Sequence, residues 1–379
     1  MATAFCTLPT STTTVTRQSP AVATAANGPA MQLNTRCSII AHPHPTAFGD
    51  TMRIAIRHLI LAALLLAAVG PLRAAEPLKV AYSDWPGWVV FEIAIQKGWY
   101  KEAGVDVEFV WMEYGPSMEA FAAGKIDGVG MTNGDALVTG AAGKPATAVL
   151  ITDYSDGNDM IIARAGITSM KQLKGKKIGV EVNLVDHLLL LKALEAAGMT
   201  EADVELVNIP TNDLPQAFAA GGDLAAIGCF QPSSGQALRA VPGSKAIFTS
   251  REVPGLIYDI MYASRESLAA RRGDWQKFVA VWPRIYAFVA DPATRPEALK
   301  IMSARVGLTP ELYAPLLEGT KLLDIAGQKK AFLPGAGLDS VHGSTVISDN
   351  FNTKNKIYAA GAPGDLAGYF DAGLVGAVK

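Results

Sequence analysis

The sequence predicts an α/β protein of two similarly built lobes, each a mostly parallel sheet with flanking helices. Three observations carry that prediction. From Leu78 to Asp153, short apolar runs alternate with helix-length segments in the order β-α-β-α-β-α-β, the pattern of a helix-covered parallel sheet. A second such series runs from Ile167 to Cys229. The pentapeptide Ala120-Phe121-Ala122-Ala123-Gly124 also recurs as Ala217-Phe218-Ala219-Ala220-Gly221. Each copy leads through an Asp into a short apolar strand and a polar loop, Thr132 to Asp135 in one case and Gln231 to Ser234 in the other.

The elements follow in order. Leu78 to Tyr82 is apolar enough for a buried strand, and Val89 to Ile95 reads as a helix start. Between them lies Ser83-Asp84-Trp85-Pro86-Gly87-Trp88, a loop at the carboxyl edge of the sheet, where open α/β folds bind ligands. Glycines at 98 and 104 stop the next helical stretch, and Val105 to Trp111 alternates apolar with acidic residues as a half-exposed strand does. Pro116 starts a helix ending at Gly124; Gly128 to Met131 is a strand, the next helix ends at Gly143, and Ala146 to Asp153 is a further strand. The second series has strands at Ile178 to Val182, Val204 to Asn208 and Ala225 to Cys229, with helices at Asp186 to Ala197 and Asp213 to Ala220. Strands at Lys245 to Thr249 and Leu256 to Ala263 precede a helical region: Trp275 to Val289, Pro296 to Val306 and Pro310 to Leu317. The last stretch is mixed and ends in a Gly- and Ala-rich tail expected to fray.

Lys and Arg total 33 against 35 Asp and Glu, a net charge of -2, and this balance argues against nucleic acid or an anionic membrane as partner. Met52 to His58 is basic, Leu59 to Val69 is an unbroken apolar run, and Leu72-Arg73-Ala74-Ala75 offers small residues for cleavage after Ala74. That is the pattern of a secretory signal over 52–74, too short for a membrane span, with no Cys at the cleavage point for a lipid. Residues 1–51 are Thr-, Ser-, Ala- and Pro-rich and are expected to have no fold; they read as a start assigned too early or as a transit peptide. Cys6 and Cys37 fall in that leader, so Cys229 is alone in the exported chain and no internal disulfide is expected. About 305 residues then remain, enough for two lobes.

The motifs "LKVAYSDWPGW", "EIAIQKGWYKEAGVDVEFVW", "FAAGKIDGVGMTNGDAL", "ITSMKQLKGKKIGVE" and "YASRESL" resemble the nitrate/sulfonate/taurine class of ABC-transporter substrate-binding proteins. Gln172 stands where that class usually has Asp before Leu-Lys-Gly-Lys-Lys. Within the class, "SDWPGW", "TNGDA" and "GVEVNLVDHLLLLKAL" are most similar to members associated with urea-carboxylase gene regions, linked to urea or guanidine uptake. The resemblance implies a type II-like periplasmic-binding-protein clamp of two lobes joined by two crossing strands, a Venus flytrap. It places lobe one at 75–157, lobe two at 158–257, and the return to lobe one with its C-terminal helices at 258–379. It puts the crossings near Thr152-Asp153-Tyr154 and Ile257-Tyr258-Asp259. It also implies a monomer in the periplasm that delivers a small solute to an inner-membrane permease with its ATPase.

The residues suggest which solute. Asp84, Trp85 and Trp88 could hold a flat, nitrogen-rich cation, stacked on an indole with its N–H groups on a carboxylate; the bland reading is that one Trp packs in the core. Asn133 and Asp135 sit at the same sheet edge, Asp135 equally suited to capping a helix. Glu181 ends a lobe-two strand with no local task, whereas Asp186 reads as the cap of the following helix. His187 could as easily bond backbone, and Gln231 is the lobe-two counterpart of Asn133. Asp259, with Asp153, Tyr154 and Tyr258, lies at the expected hinge, for ligand contact or hinge support. These loops carry acids and no Lys or Arg, which disfavours a sulfonate or nitrate site. The expected function is capture of a guanidinium- or urea-like solute, without metal or cofactor; a pyrimidine, taurine, sulfonate or nitrate type is the alternative. An enzyme is the rival class, but HExxH, CxxC and GxSxG are absent, as is the Cys-rich motif of the pyrimidine-synthase relative of this fold. Gly128, Gly130 and Gly134 miss the dinucleotide spacing.

Overall fold

In chain order the strands are β1 (Leu78–Tyr82), β2 (Val107–Trp111), β3 (Gly128–Thr132), β4 (Ala146–Ser155), β5 (Met160–Ala163), β6 (Lys177–Val180), β7 (Glu205–Asn208), β8 (Leu224–Cys229), β9 (Lys245–Thr249), β10 (Tyr258–Ser264) and β11 (Thr320–Leu322). They belong to a computed structural model that describes His58 and residues 76–378. The leader over 1–51 and, but for His58, the export signal over 52–74 therefore lie outside the described residues.

The strands form two sheets, of order β11-β4-β10-β3-β1-β2 and β7-β6-β8-β5-β9. Each contains a parallel trio built from successive β-α units: β1 pairs with β2 and β3, and β6 with β7 and β8. To each trio the returning chain adds antiparallel strands. β10 lies between β3 and β4, β11 flanks β4, and β5 sits between β8 and β9. These insertions make the sheets mixed where the sequence pattern suggested mostly parallel ones. β5 is only four residues long, with no helix between it and β4, so it left no alternation signal. The chain leaves the first sheet after Ser155 and joins the second at Met160; it leaves again at Thr249 and returns at Tyr258. Thr152-Asp153-Tyr154 and Tyr258-Asp259 are thus paired strand residues of the first sheet, Asp153 opposite Asp259, and the crossings lie directly beside them, at 156–159 and at 250–257, the latter including Ile257.

Burial explains why these segments fold as they do. β1, β3, β4 and β10 are buried along nearly their whole length, as central strands covered on both faces must be. Around them Phe91, Tyr100, Phe109, Phe278 and Trp282 pack ring against ring, tying the helix Phe91–Gln96 to the C-terminal helices. Each fully buried aromatic of this kind is worth about 1.5–3 kcal/mol of transfer free energy. The stretch from Trp275 to Val289 forms two helices, Arg272–Ala280 and Trp282–Ala290, the second opening on Pro283, which lacks the N–H to continue the first. The C-terminal tail does not fray. Phe370 bridges to Ala148, Tyr369, Leu374 and Val375 are buried, and the helix Ala372–Gly376 packs on β4. Among the described residues no helix is long and apolar enough to cross a membrane.

Candidate functional site

The loop from Ser83 to Trp88 starts a short helix, Pro86–Val89, packed against β4 and β11. Gly87 permits this approach: a Cβ there would lie 1.8 Å from Asp153 Oδ2, so only a bare backbone fits. The close fit brings Trp85 Nε1 to donate to Asp153 Oδ1 at 3.1 Å. Trp85 is buried and meets Phe230 of the second lobe edge-on, ring centres 6.1 Å apart. Trp88 is buried in the first lobe, stacked on Tyr114 at 5.6 Å, and its indole N–H has no partner. Tyr114 in turn meets Phe230 edge-on at 5.7 Å. A continuous run of rings, Trp88–Tyr114–Phe230–Trp85, therefore joins the lobes. Tyr114 and Phe230 were missed in the sequence because neither stands out from an ordinary core aromatic.

Asp135 and Asn133 lie in the first turn of the helix Asn133–Ala141, not in a loop. Thr132, rather than Asp135, is the cap: its hydroxyl accepts from the Asp135 N–H at 3.1 Å. The Asp135 carboxylate accepts from the Tyr114 hydroxyl at 2.5 Å and from the backbone N–H of Val185 in lobe two. Asn133 is spent within lobe one: its Nδ2 donates to Ser344 Oγ at 2.9 Å and its Oδ1 accepts from the Tyr258 N–H at 3.0 Å. Both ends of the amide that the sequence offered for a solute thus hold β10 and the helix Val341–Lys354 in place.

The lobe-two candidates divide in the same way. His187 is buried, accepts from the Asn183 N–H at Nδ1 (3.1 Å) and meets Glu201 at Nε2 (3.3 Å), which fixes a turn in which Asn183 has φ +71°. Burial holds its pKa below the usual value, so it stays neutral. Gln231 folds back on its own helix, accepting from the Gly235 N–H at 3.2 Å. Glu181 accepts from the Thr211 N–H at 3.0 Å with one oxygen. The other reaches lobe one, where a Cβ on Gly115 would stand 2.8 Å from it. Asp186 is not the cap of the helix Val185–Ala196; Leu184 holds that position without a side-chain bond. Asp186 is buried, and neither carboxylate oxygen has a hydrogen-bond partner.

What gathers between the lobes is a set of acids. From lobe one come Asp84, Asp135, Asp153 and Asp259; Asp159 lies on the crossing from β4 to β5; Glu181 and Asp186 belong to lobe two. Thr152 Oγ1 donates to Asp153 Oδ2 at 2.8 Å, and the Asp153 and Asp259 carboxyls are hydrogen-bonded to each other. One oxygen each of Asp159 and Asp259 is unpartnered as well. Among the described residues none of the seven is in an ion pair; Arg251 and Lys321 pair with Asp156, outside the set. Among the described residues, too, no three acids, histidines or cysteines are placed to hold a metal.

The electrostatic result is large. Burial pushes Asp135, Asp153 and Asp159 up to about 7 and half-buried Asp84 up to about 6, the last helped by Glu113. Asp186 is raised well above the carboxylate range by burial and then by Asp159, Asp135 and Glu181. Asp259 is raised likewise by burial and by Asp153 and Asp159. An uncompensated buried carboxylate costs several kcal/mol. At neutral pH these groups therefore share protons.

Residues 85–294, more than half of the chain, match a family described as "NMT1/THI5 like". A binding protein of Brucella abortus (strain 2308) is 31% identical over 198 residues, which cover 51% of this chain and 60% of that protein. The match thus spans less than two thirds of that relative's length. Among solved structures, the periplasmic aliphatic sulphonate binding protein from Escherichia coli superposes with TM-score 0.63 at 19% identity, covering 80% of this chain and 99% of that one. The ligand-binding component of an ABC-type import system from Staphylococcus aureus, solved with zinc bound, superposes with TM-score 0.64 at 12% identity, covering 80% and 98%. These likenesses show the two-lobe periplasmic-binding-protein fold.

Proposed function

The chain belongs to the NMT1/THI5-like family, and on that premise we propose that it is a solute-binding protein that captures a small nitrogen-rich cation, guanidinium-like, between its lobes. One observation carries the reading: seven acids converge on the interlobe space, several with unpartnered oxygens, and among the described residues no Lys or Arg is paired with any of them. A planar cation with several N–H donors would supply both the missing charge and the missing hydrogen bonds. Trp85, Tyr114 and Phe230 provide the ring walls beside which such a cation is held. A site for sulfonate or nitrate would need the opposite sign.

A neutral, urea-like solute is the second reading. Carboxyls with pKa about 7 are partly protonated at neutral pH, and a protonated carboxyl beside a carboxylate offers a urea both a donor and acceptors. Because the relatives are named for binding or import, the chain is read as a binder and not a catalyst, working outside the inner membrane with an importer. Solute would favour the closed clamp by its extra affinity for that form. A thermal-shift series with millimolar guanidinium, urea, an aminopyrimidine, taurine and nitrate tests the proposal. Stabilisation by guanidinium above all is expected, and stabilisation by an anion alone would sink it.

A further inference from the structure

We propose that Asp186 is the carboxylate by which the second lobe grips the bound cation, and that its charge sets the preference for a cation over a neutral solute. This rests on the cation reading above and adds the residue that decides it. Asp186 occupies the first turn of the helix Val185–Ala196, where a carboxylate would ordinarily take a hydrogen bond from the free N–H groups of the helix start. Here Asp135, reaching across from lobe one, accepts from Val185 instead. Asp186 is left 1% exposed with both oxygens bare.

Its surroundings offer no remedy. The charged groups that bear on it are all acids: Asp159 from the crossing, Asp135 from lobe one and Glu181 from the end of β6. The thiol of Cys229, at the end of β8, is buried and feels Asp186 and Asp159 in turn. Among the described residues it caps nothing and has no hydrogen-bond partner. A buried group with this much unmet acceptor capacity, on the lobe that must close over the solute, is a ligand contact. It also gives closure a cause. Like charges on Asp186, Asp159, Asp135 and Glu181 disfavour one another, and a cation between Asp186 and the lobe-one carboxylates would turn that repulsion into attraction.

Asp186→Asn separates this from a spectator role, because Asn has the shape of a protonated Asp and no charge. Ligand-free Asp186→Asn is expected to melt no lower than the wild type at pH 7.5, since it relieves repulsion. Its affinity for methylguanidinium, by calorimetry, is expected to fall at least about tenfold, the lower end for a charge-assisted hydrogen bond, while any urea binding is kept. Asp159→Asn, tested beside it, should weaken methylguanidinium binding in the same direction. Unchanged methylguanidinium affinity in Asp186→Asn, or a variant that no longer folds, would overturn the assignment of Asp186 alone. A wild-type protein that ignores methylguanidinium but binds taurine or nitrate would overturn the cation reading itself.

Discussion

Two helix starts face each other across the cleft, and they are built in opposite ways. At Asn133–Ala141 every polar group has a partner: Thr132 caps, Asn133 bonds at both ends, and Asp135 is held by Tyr114 and by Val185. At Val185–Ala196 the cap position is Leu184, His187 is turned to a local loop, and Asp186 is bare. The side chains at the lobe-one helix start are satisfied, whereas the lobe-two helix start keeps acceptor capacity in reserve on Asp186. A residue that is buried and satisfied explains stability; one that is buried and unsatisfied asks for a ligand.

The contrast can be broken from either side. The largest loss is expected from Asn133→Ala, which strands the Tyr258 N–H in the interior and removes the amide donor to Ser344, whose hydroxyl still donates to the Leu256 carbonyl. The stranded N–H costs about 1–3 kcal/mol and the lost second bond about 1 more, which chemical denaturation should show. Gly87→Ala comes next, because its Cβ has no room beside Asp153. Overpacking of this kind costs about 1–3 kcal/mol, and the Trp85–Asp153 bond and solute binding should be lost with it. A test of pH follows. Aspartates whose folded pKa lies above the unfolded 3.8 hold their protons longer when folded, so stability is greatest at low pH and falls as pH rises toward 7. The ligand-free melting temperature should therefore drop between pH 5 and 7.5. Glu195, held at about 2 by Lys192 and Lys354, titrates below that window, and His187 opposes the trend as one group against Asp135, Asp153, Asp159, Asp186 and Asp259. The smallest effect belongs to His187→Gln: about 1 kcal/mol of stability for its local bonds, with solute affinity unchanged in the same titration.

How far the sequence led differs by kind of feature. β-α alternation placed β1, β3, β6, β8 and most helices within a residue or two, because their apolar runs are buried from end to end. It could not reveal β5 or β11, which are three or four residues long and gain their partners only from distant chain. At the site, Asp84, Asp135, Glu181 and Asp259 were visible as acids beside strand ends, and the structure adds the buried Asp153, Asp159 and Asp186 to them. Asp186 was set aside as a helix cap, a local role that the structure gives to no side chain there. Asn133, His187 and Gln231 were read as contacts, although all three are occupied by backbone or neighbouring side chains. Whether a polar group is already satisfied depends on which distant strand or helix comes to rest against it, and local sequence does not carry that information.

On the proposal that the acids between the lobes bind a cation, calorimetric titration of the wild type with methylguanidinium and with urea, at pH 5.5 and 7.5, will separate the two solutes. The cation must displace protons from carboxyls with pKa about 7, so its affinity should rise with pH and its binding should release protons, whereas urea should show neither. Methylguanidinium binding that is absent, or that is indifferent to pH and releases no proton, would contradict it.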